Sequence, residues 1–227
     1  MKRFLLLGSL VFNMALAQDE FTPLGTFYPD FFAELLDAEI YSPTKVYTIR
    51  VGGYVFVDVS NINKPEIIGQ FNPGSIYNRF DNGYAAGQMA LGAARNDGLY
   101  IIDISEMKQP ILSKIHKTLG YSYESVALKN NIAYAAVHEN GIELVDITSP
   151  TKPQLVGTLK SFENVWDVYV DGDYLYVADG KAGIQIYSIT DPLNPVYRSS
   201  IQTTGQAKEI IIREPTAYIS LGAAGFD

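Results

Sequence analysis

Cysteine is absent from the 227-residue chain and histidine occurs only twice, at His116 and His138. Disulfides, thiolate nucleophiles and cysteine-ligated zinc or iron–sulfur centres are therefore excluded, and too few imidazoles remain for a histidine-rich metal centre. Basic residues are outnumbered, with 17 Lys and Arg against 25 Asp and Glu and a net charge of −8. No Lys/Arg run exists to release counterions from a phosphate backbone, so nucleic acid is not an expected partner. Walker, G-x-S-x-G, H-E-x-x-H and EF-hand patterns are all missing, and Arg95-Asn96-Asp97-Gly98 is too short to be a calcium loop. What is present is a 47% hydrophobic chain with 19 Gly, 11 Pro and 16 Tyr, a globular composition with material for a sizeable core.

Residues 1–17, MKRFLLLGSLVFNMALA, read as a signal peptide. Lys2 and Arg3 precede an apolar stretch from Phe4 to Val11, and Ala15-Leu16-Ala17 is a small-residue cleavage site before Gln18. Asn13 interrupts the apolar run, which falls short of the roughly 20 residues a membrane anchor needs. Cleavage would leave 15 basic and 25 acidic residues, with no further candidate transmembrane segment. The expectation is an exported protein, periplasmic, secreted or on the cell surface.

The remaining chain repeats itself. GYVFVDVSNINKP from Gly53, GLYIIDISEMKQP from Gly98, GIELVDITSPTKP from Gly141 and GIQIYSITDPLNP from Gly183 can be laid over one another, their glycines 45, 43 and 42 residues apart. Pro65, Pro110, Pro153 and Pro195 keep the same spacings, and Gly225 follows Gly183 by 42. A second column lies seven residues before each glycine, at Val46, Leu91, Tyr134, Tyr176 and Tyr218. Units are expected at about 53–97, 98–140, 141–182 and 183–224, with a partial one from 225.

Each unit is written in β-sequence. In the third, Val126-Ala127-Leu128, Ile132 to Val137, Ile142 to Ile147 and Gln154 to Leu159 are short Val/Ile/Tyr-rich runs separated by Asn, Gly and Pro turns. The fourth repeats the scheme, with an Asp171-Gly172 hairpin turn. Four strands per unit at this period predict an all-β fold, a β-propeller of four-stranded blades, with about four to five repeats forming an incomplete ring. The near-continuous apolar runs fit strands buried on both faces. Residues 18–45 form a lead-in, in which Phe31, Phe32, Leu35, Leu36 and Ile40 are spaced for one short helix within Phe27 to Ile40.

The runs Phe56-Val57-Asp58-Val59, Tyr100-Ile101-Ile102-Asp103-Ile104 and Leu144-Val145-Asp146-Ile147, each followed by Ser or Thr and then Pro, resemble the LVIVD repeat of bacterial and archaeal exported proteins. Trp166 to Val170 and Tyr174 to Asp179 resemble the rest of that repeat, so the resemblance covers about 46–227. The fourth unit departs from it, with Tyr187-Ser188 in place of Val-Asp. The resemblance implies a propeller, often in surface or secreted proteins, and carries no common chemistry. Three complete blades, a first without a visible innermost strand and a fifth stopping at Phe226-Asp227 suggest a piece of a ring of roughly six to eight blades. The alternative is a compact four-blade ring closed by the last two strands.

Candidate sites each have two readings. Asp58, Asp103 and Asp146 are either calcium ligands or turn-capping side chains. Glu124, Trp166, Asp167, Lys208 and Glu209 fall on innermost strands at the channel mouth, with Ser125, Asp167 and Glu209 at equivalent positions 42 apart. There they form either a binding site, with Trp166 stacking on a sugar, or ordinary strand-end and inter-blade packing residues. His116 and His138 read as plain surface histidines, neither with a nearby carboxylate and serine arranged as a triad. A single Trp argues against a pyrroloquinoline quinone enzyme, and no cofactor or metal is expected. The resulting expectation is a non-catalytic exported propeller acting as a binding or scaffold module for a protein or glycan ligand. The alternative is a carbohydrate-active or other hydrolytic propeller, which needs two carboxylates converging at the mouth.

Overall fold

A computed structural model describes residues 10–11, 26–27, 35–50, 52–73, 80–213 and 215–226. Apart from a 3-10 turn at Gly222–Ala224, every element among them is a β-strand. Leu10–Val11 (β1) and Thr26–Phe27 (β2) form a two-residue ladder, and the expected cleavage position lies outside the described residues. The first four-stranded antiparallel sheet contains Leu35–Ser42 (β3), Lys45–Arg50 (β4), Gly53–Asp58 (β5) and Glu66–Phe71 (β6). The second contains Asn82–Ala86 (β7), Met89–Ala93 (β8), Leu99–Asp103 (β9) and Ile111–His116 (β10). The third contains Ser125–Lys129 (β11), Ile132–Ala136 (β12), Ile142–Asp146 (β13) and Gln154–Leu159 (β14). Asp167–Asp171 (β15), Tyr174–Ala178 (β16), Ile184–Ser188 (β17) and Val196–Ile201 (β18) make the fourth. Glu209–Arg213 (β19) pairs with Thr216–Ser220 (β20), and an isolated Ser220–Phe226 bridge begins a third strand of the fifth sheet.

Strand order follows chain order in every sheet, and the first strand of each sheet lies against the first strand of the next. The first strands are thus central and the fourth peripheral, which is the β-propeller arrangement expected from the repeats. Among the described residues no ladder joins the fifth sheet to the first. The first sheet already holds four strands, so β19 and β20 do not complete it as the compact-ring alternative required.

Two expectations are corrected at the start of the arc. Leu35–Ser42 is extended, not helical, and residues 28–34 of the expected helix lie outside the described residues. Pairing with β4 from Leu35–Arg50 to Ser42–Lys45 satisfies the β3 backbone, and this ladder overrides a local spacing that suits a helix. The same strand supplies the innermost element that the first blade was expected to lack, so that blade begins at Leu35 within the stretch read as lead-in. The glycine columns mark the start of the third strand in each sheet. Units cut at the glycines are therefore out of phase with the blades by two strands.

The core explains the sequence pattern. Among the described residues four apolar clusters lie between successive sheets, and alternate residues of one strand belong to different clusters. Ala133 and Ala135 of β12 pack towards the second sheet, while Ile132, Tyr134 and Ala136 pack towards the fourth. A strand covered on both faces needs apolar side chains at successive positions, which is why Ile132 to Val137 reads without alternation. The interface between the first two blades is aromatic, with Tyr47, Tyr54, Phe56, Phe71, Phe80 and Tyr100 in mutual contact. In the fifth sheet Tyr218 is 55% exposed, whereas its equivalent Tyr134 is fully buried.

The glycine column has a steric cause. Gly53, Gly98, Gly141 and Gly183 have φ of 124, 103, 85 and 77°. A Cβ on any of them would lie 1.9 to 2.5 Å from the carbonyl oxygen that ends the fourth strand of the same blade. Only glycine combines that φ with so close an approach.

Candidate functional site

Asp81, Glu124, Trp166 and Lys208 each immediately precede the first strand of a blade, 43, 42 and 42 residues apart. Their backbone N–H groups make equivalent bonds, to the carbonyls of Ala93, Ala136, Ala178 and Ser220 at 3.0, 2.9, 2.9 and 2.8 Å. The fold therefore sets four equivalent backbone positions around one end of the channel. The sequence places two carboxylates, an indole and an ammonium on them.

A second set of positions faces this ring. Arg95, His138, Gly180 and Gly222 fall at equivalent places after the second strand, with φ of 40, 42, 53 and 62°. Arg95, His138 and Gly180 bridge across to the next blade, at Tyr123, Val165 and Ala207. Glycine takes this backbone freely, whereas Arg and His hold it at a cost of about 1–3 kcal/mol. The two side chains that occupy it reach the ring. Arg95 Nε donates to the Asp81 carboxylate, and the Glu124 charge also acts on it. His138 stands edge-on to Trp166 with ring centroids 4.8 Å apart.

Lys208 Nζ lies over the Trp166 ring, 2.9 Å from its centroid, an attractive placement against the negative π-face. Burial pushes the Lys208 ammonium below the ordinary lysine value, and the Glu124 charge pulls it back. Glu124 is held by a 2.7 Å bond from Ser122 Oγ. Of the residues expected at the mouth, the structure brings Trp166 and Lys208 into contact and sets Glu124 at the equivalent position of the preceding blade, where its charge acts on Lys208.

Asp167 points elsewhere. Successive strand residues face opposite sides of a sheet, and the Asp167 side chain turns into the packing between blades, where the residue is 6% exposed. Its Oδ1 accepts from Ser125 Oγ and from the Val168 N–H at 2.9 Å, and its Oδ2 accepts from the Ile210 N–H at 2.9 Å. One carboxylate thus links the innermost strands of three consecutive blades. Glu209, in the equivalent place of the next blade, pairs with Ser220 in the β19–β20 ladder. Asp58, Asp103 and Asp146 each cap their own turn, accepting from the N–H of Ser60, Ser105 and Thr148 at 2.8 Å. Those bonds, from the side chain and backbone of the same residue, lower all three carboxyl pKa values. Among the described residues no three His, Asp or Glu side chains gather as a metal site.

The LVIVD repeat matches residues 90–118, 121–160 and 164–203. The chain belongs to the LVIVD repeat family. A functionally unknown protein from Desulfotomaculum acetoxidans superposes with a TM-score of 0.70 at 15% identity, over 86% of this chain and 66% of that one. The computationally designed Ika8 protein gives 0.61 at 10% identity over 85% and 57%. The periplasmic gluconolactonase PpgL of Pseudomonas aeruginosa gives 0.62 at 8% identity over 75% and 55%. At these identities the likeness shows the fold alone, and this LVIVD-repeat chain spans between about half and two thirds of the length of each. Comparison with curated proteins gives no match.

A second polar cluster of this LVIVD-repeat protein corrects the reading of His116 as a plain surface histidine. Glu143 on β13 is completely buried, and its Oε2 lies 3.1 Å from His116 Nε2 and 2.7 Å from the Tyr123 hydroxyl, which donates to it. Asn140 Nδ2 donates to the other oxygen at 3.2 Å, and the His116 side chain is only 14% exposed. The cluster ties the outer strand of the second blade to the third. An ionised carboxylate only accepts, so His116 Nε2 carries the proton it shares. Burial pushes the Glu143 carboxyl up, but bonds with His116, Thr118 and Tyr123 together outweigh it and hold the pKa below its ordinary value of 4.5.

The sign of the pH effect follows. A depressed folded pKa stabilises the fold above the unfolded value, and that stabilisation is lost as pH falls through the folded value. Chemical denaturation of wild type and Glu143→Gln from pH 7 downward should show the variant less stable at pH 7, with the gap closing below about pH 4.5. A constant gap would show that the Glu143 charge does not contribute. Asp179 acts in the opposite sense, since burial raises its pKa despite bonds from the Phe162 and Glu163 N–H groups.

Proposed function

We propose that this LVIVD-repeat protein is a non-catalytic binding module, exported by residues 1–17 and working at the cell surface or in the periplasm, whose ligand seats on the channel mouth. The observation that carries this reading is the contrast between backbone and side chains at one level of the repeat. The backbone is the same in four blades at Asp81, Glu124, Trp166 and Lys208, while the side chains differ in charge and shape. Arg95 and His138 hold strained backbone where other blades use glycine, and both reach this ring. Strain retained at side chains that converge on one ring of positions supports a binding role.

A hydrolytic role needs a free acid and base at fixed separation. Asp167 is the carboxylate that the repeat places best for such a pair, and its acceptors are engaged by three donors of the protein. The likeness to a gluconolactonase is one of fold and adds no acid–base pair.

A panel of oligosaccharides, peptides of either charge and small amines, screened by Trp166 emission and by thermal shift, tests the proposal. Ligands that register should lose about tenfold or more in affinity with Glu124→Ala or Trp166→Phe, with the melting transition kept. A ligand bound equally well by both variants would place the site elsewhere.

A further inference from the structure

We propose that the face of Trp166 is a receptor for an alkylammonium group of the ligand, with Glu124 at the equivalent position of the preceding blade as its counter-charge, and that Lys208 occupies this receptor as a built-in competitor. This rests on the reading of the mouth as the binding site and names the ligand chemistry it takes. Three blades contribute: the carboxylate comes from the third, the indole from the fourth and the ammonium from the fifth. Lys208 Nζ sits 2.9 Å from the indole centroid, where the ring quadrupole attracts a cation most strongly. The Glu124 charge acts on the same ammonium and is oriented by Ser122. His138 packs against the indole at 89°, with ring centroids 4.8 Å apart.

The arrangement is complementary to a cation and is filled by one from its own chain. A sugar stacking on this face, by contrast, finds it covered. Lys208 hangs from the end residue before a two-stranded sheet and can swing away on its flexible stem. An incoming methylated or primary ammonium then replaces it over the same π-face, within the field of the same carboxylate. Because the receptor is filled in the resting protein, apparent affinity is the intrinsic affinity multiplied by the fraction of molecules in which Lys208 has left.

Trp166 is the single tryptophan of the chain, so its emission reports on this site alone. The full chain is titrated with tetramethylammonium chloride against sodium chloride at equal ionic strength. Lys208→Ala should give a saturable change in emission, wild type the same change at about tenfold higher concentration, and Lys208→Ala/Glu124→Gln a further loss. Lys208→Gln, which keeps much of the stem, serves as a second variant, and a retained thermal transition confirms folding. No saturable change in either single variant overturns the proposal, as does equal affinity in wild type and variants. Equal binding of the uncharged isostere 3,3-dimethylbutanol also overturns it, because the site then reads shape and not charge. If the amine fails while an oligosaccharide or peptide perturbs Trp166, the mouth remains the binding site and the ammonium reading alone falls.

Discussion

Gly141→Ala should destabilise the protein by about 2–5 kcal/mol, the sum of a strained backbone and a forced steric shift. Gly141 has φ +85°, and an added Cβ would lie 2.1 Å from the carbonyl oxygen of Leu159. Relief requires β13 and β14 to part where their ladder ends at Ile142–Leu159. Gly172→Asn is the control. Gly172 also has positive φ, at +54°, but no atom lies within 4 Å of the added Cβ. In the equivalent hairpin of the third blade Asn130 already adopts φ 54°, so the change should cost less than about 1 kcal/mol. Urea denaturation of the two variants separates conformational from steric cost. Similar losses would show that close approach is not what keeps glycine in this column.

Asp167→Ala should cost about 3–5 kcal/mol, because it strands buried donors on three blades at once. Ser125 Oγ and the Ile210 N–H lose their acceptor, and the Val168 N–H keeps only a long 3.5 Å contact with Ser125 Oγ. Asp167→Asn should cost less, since its amide oxygen can keep the Ile210 bond while its nitrogen donates to Ser125. Hydrogen exchange at Ile210 locates the damage: its amide should exchange faster in Asp167→Ala than in Asp167→Asn. A loss below about 1 kcal/mol for the alanine variant would mean that the carboxylate does not hold the blades together, and the hydrolytic role would then regain its main candidate.

Why the repeats were legible is now physical. The columns at Gly53, Gly98, Gly141 and Gly183 record a backbone that only glycine fits, and the continuous apolar runs record strands packed on both faces. Strand β3 escaped because it lies before the first glycine and its turn, Pro43-Thr44, lacks the Gly or Asn that marks the equivalent hairpins at Gly87, Asn130 and Gly172. The His116–Glu143 pair escaped because it joins different strands of neighbouring blades, at positions the repeat does not relate. A signal was present, since Glu143 is an acid inside an otherwise apolar strand. The mouth was half legible. Glu124, Trp166 and Lys208 were visible from phase alone, and Asp81 shares that phase. Arg95 and His138 become informative only once their backbone is known to match Gly180. Strand alternation alone separates Trp166 from Asp167, adjacent residues whose side chains leave on opposite sides of the sheet.

The strict agreement between chain order and strand order bears on how the molecule comes into being. Every sheet closes from strands that follow one another directly, and each apolar cluster involves only a blade and its successor. Such an array behaves as a row of units coupled to their nearest neighbours. A chain emerging during synthesis can therefore complete one sheet before the next has been made. It then carries one uncovered apolar face forward until the following blade arrives to cover it.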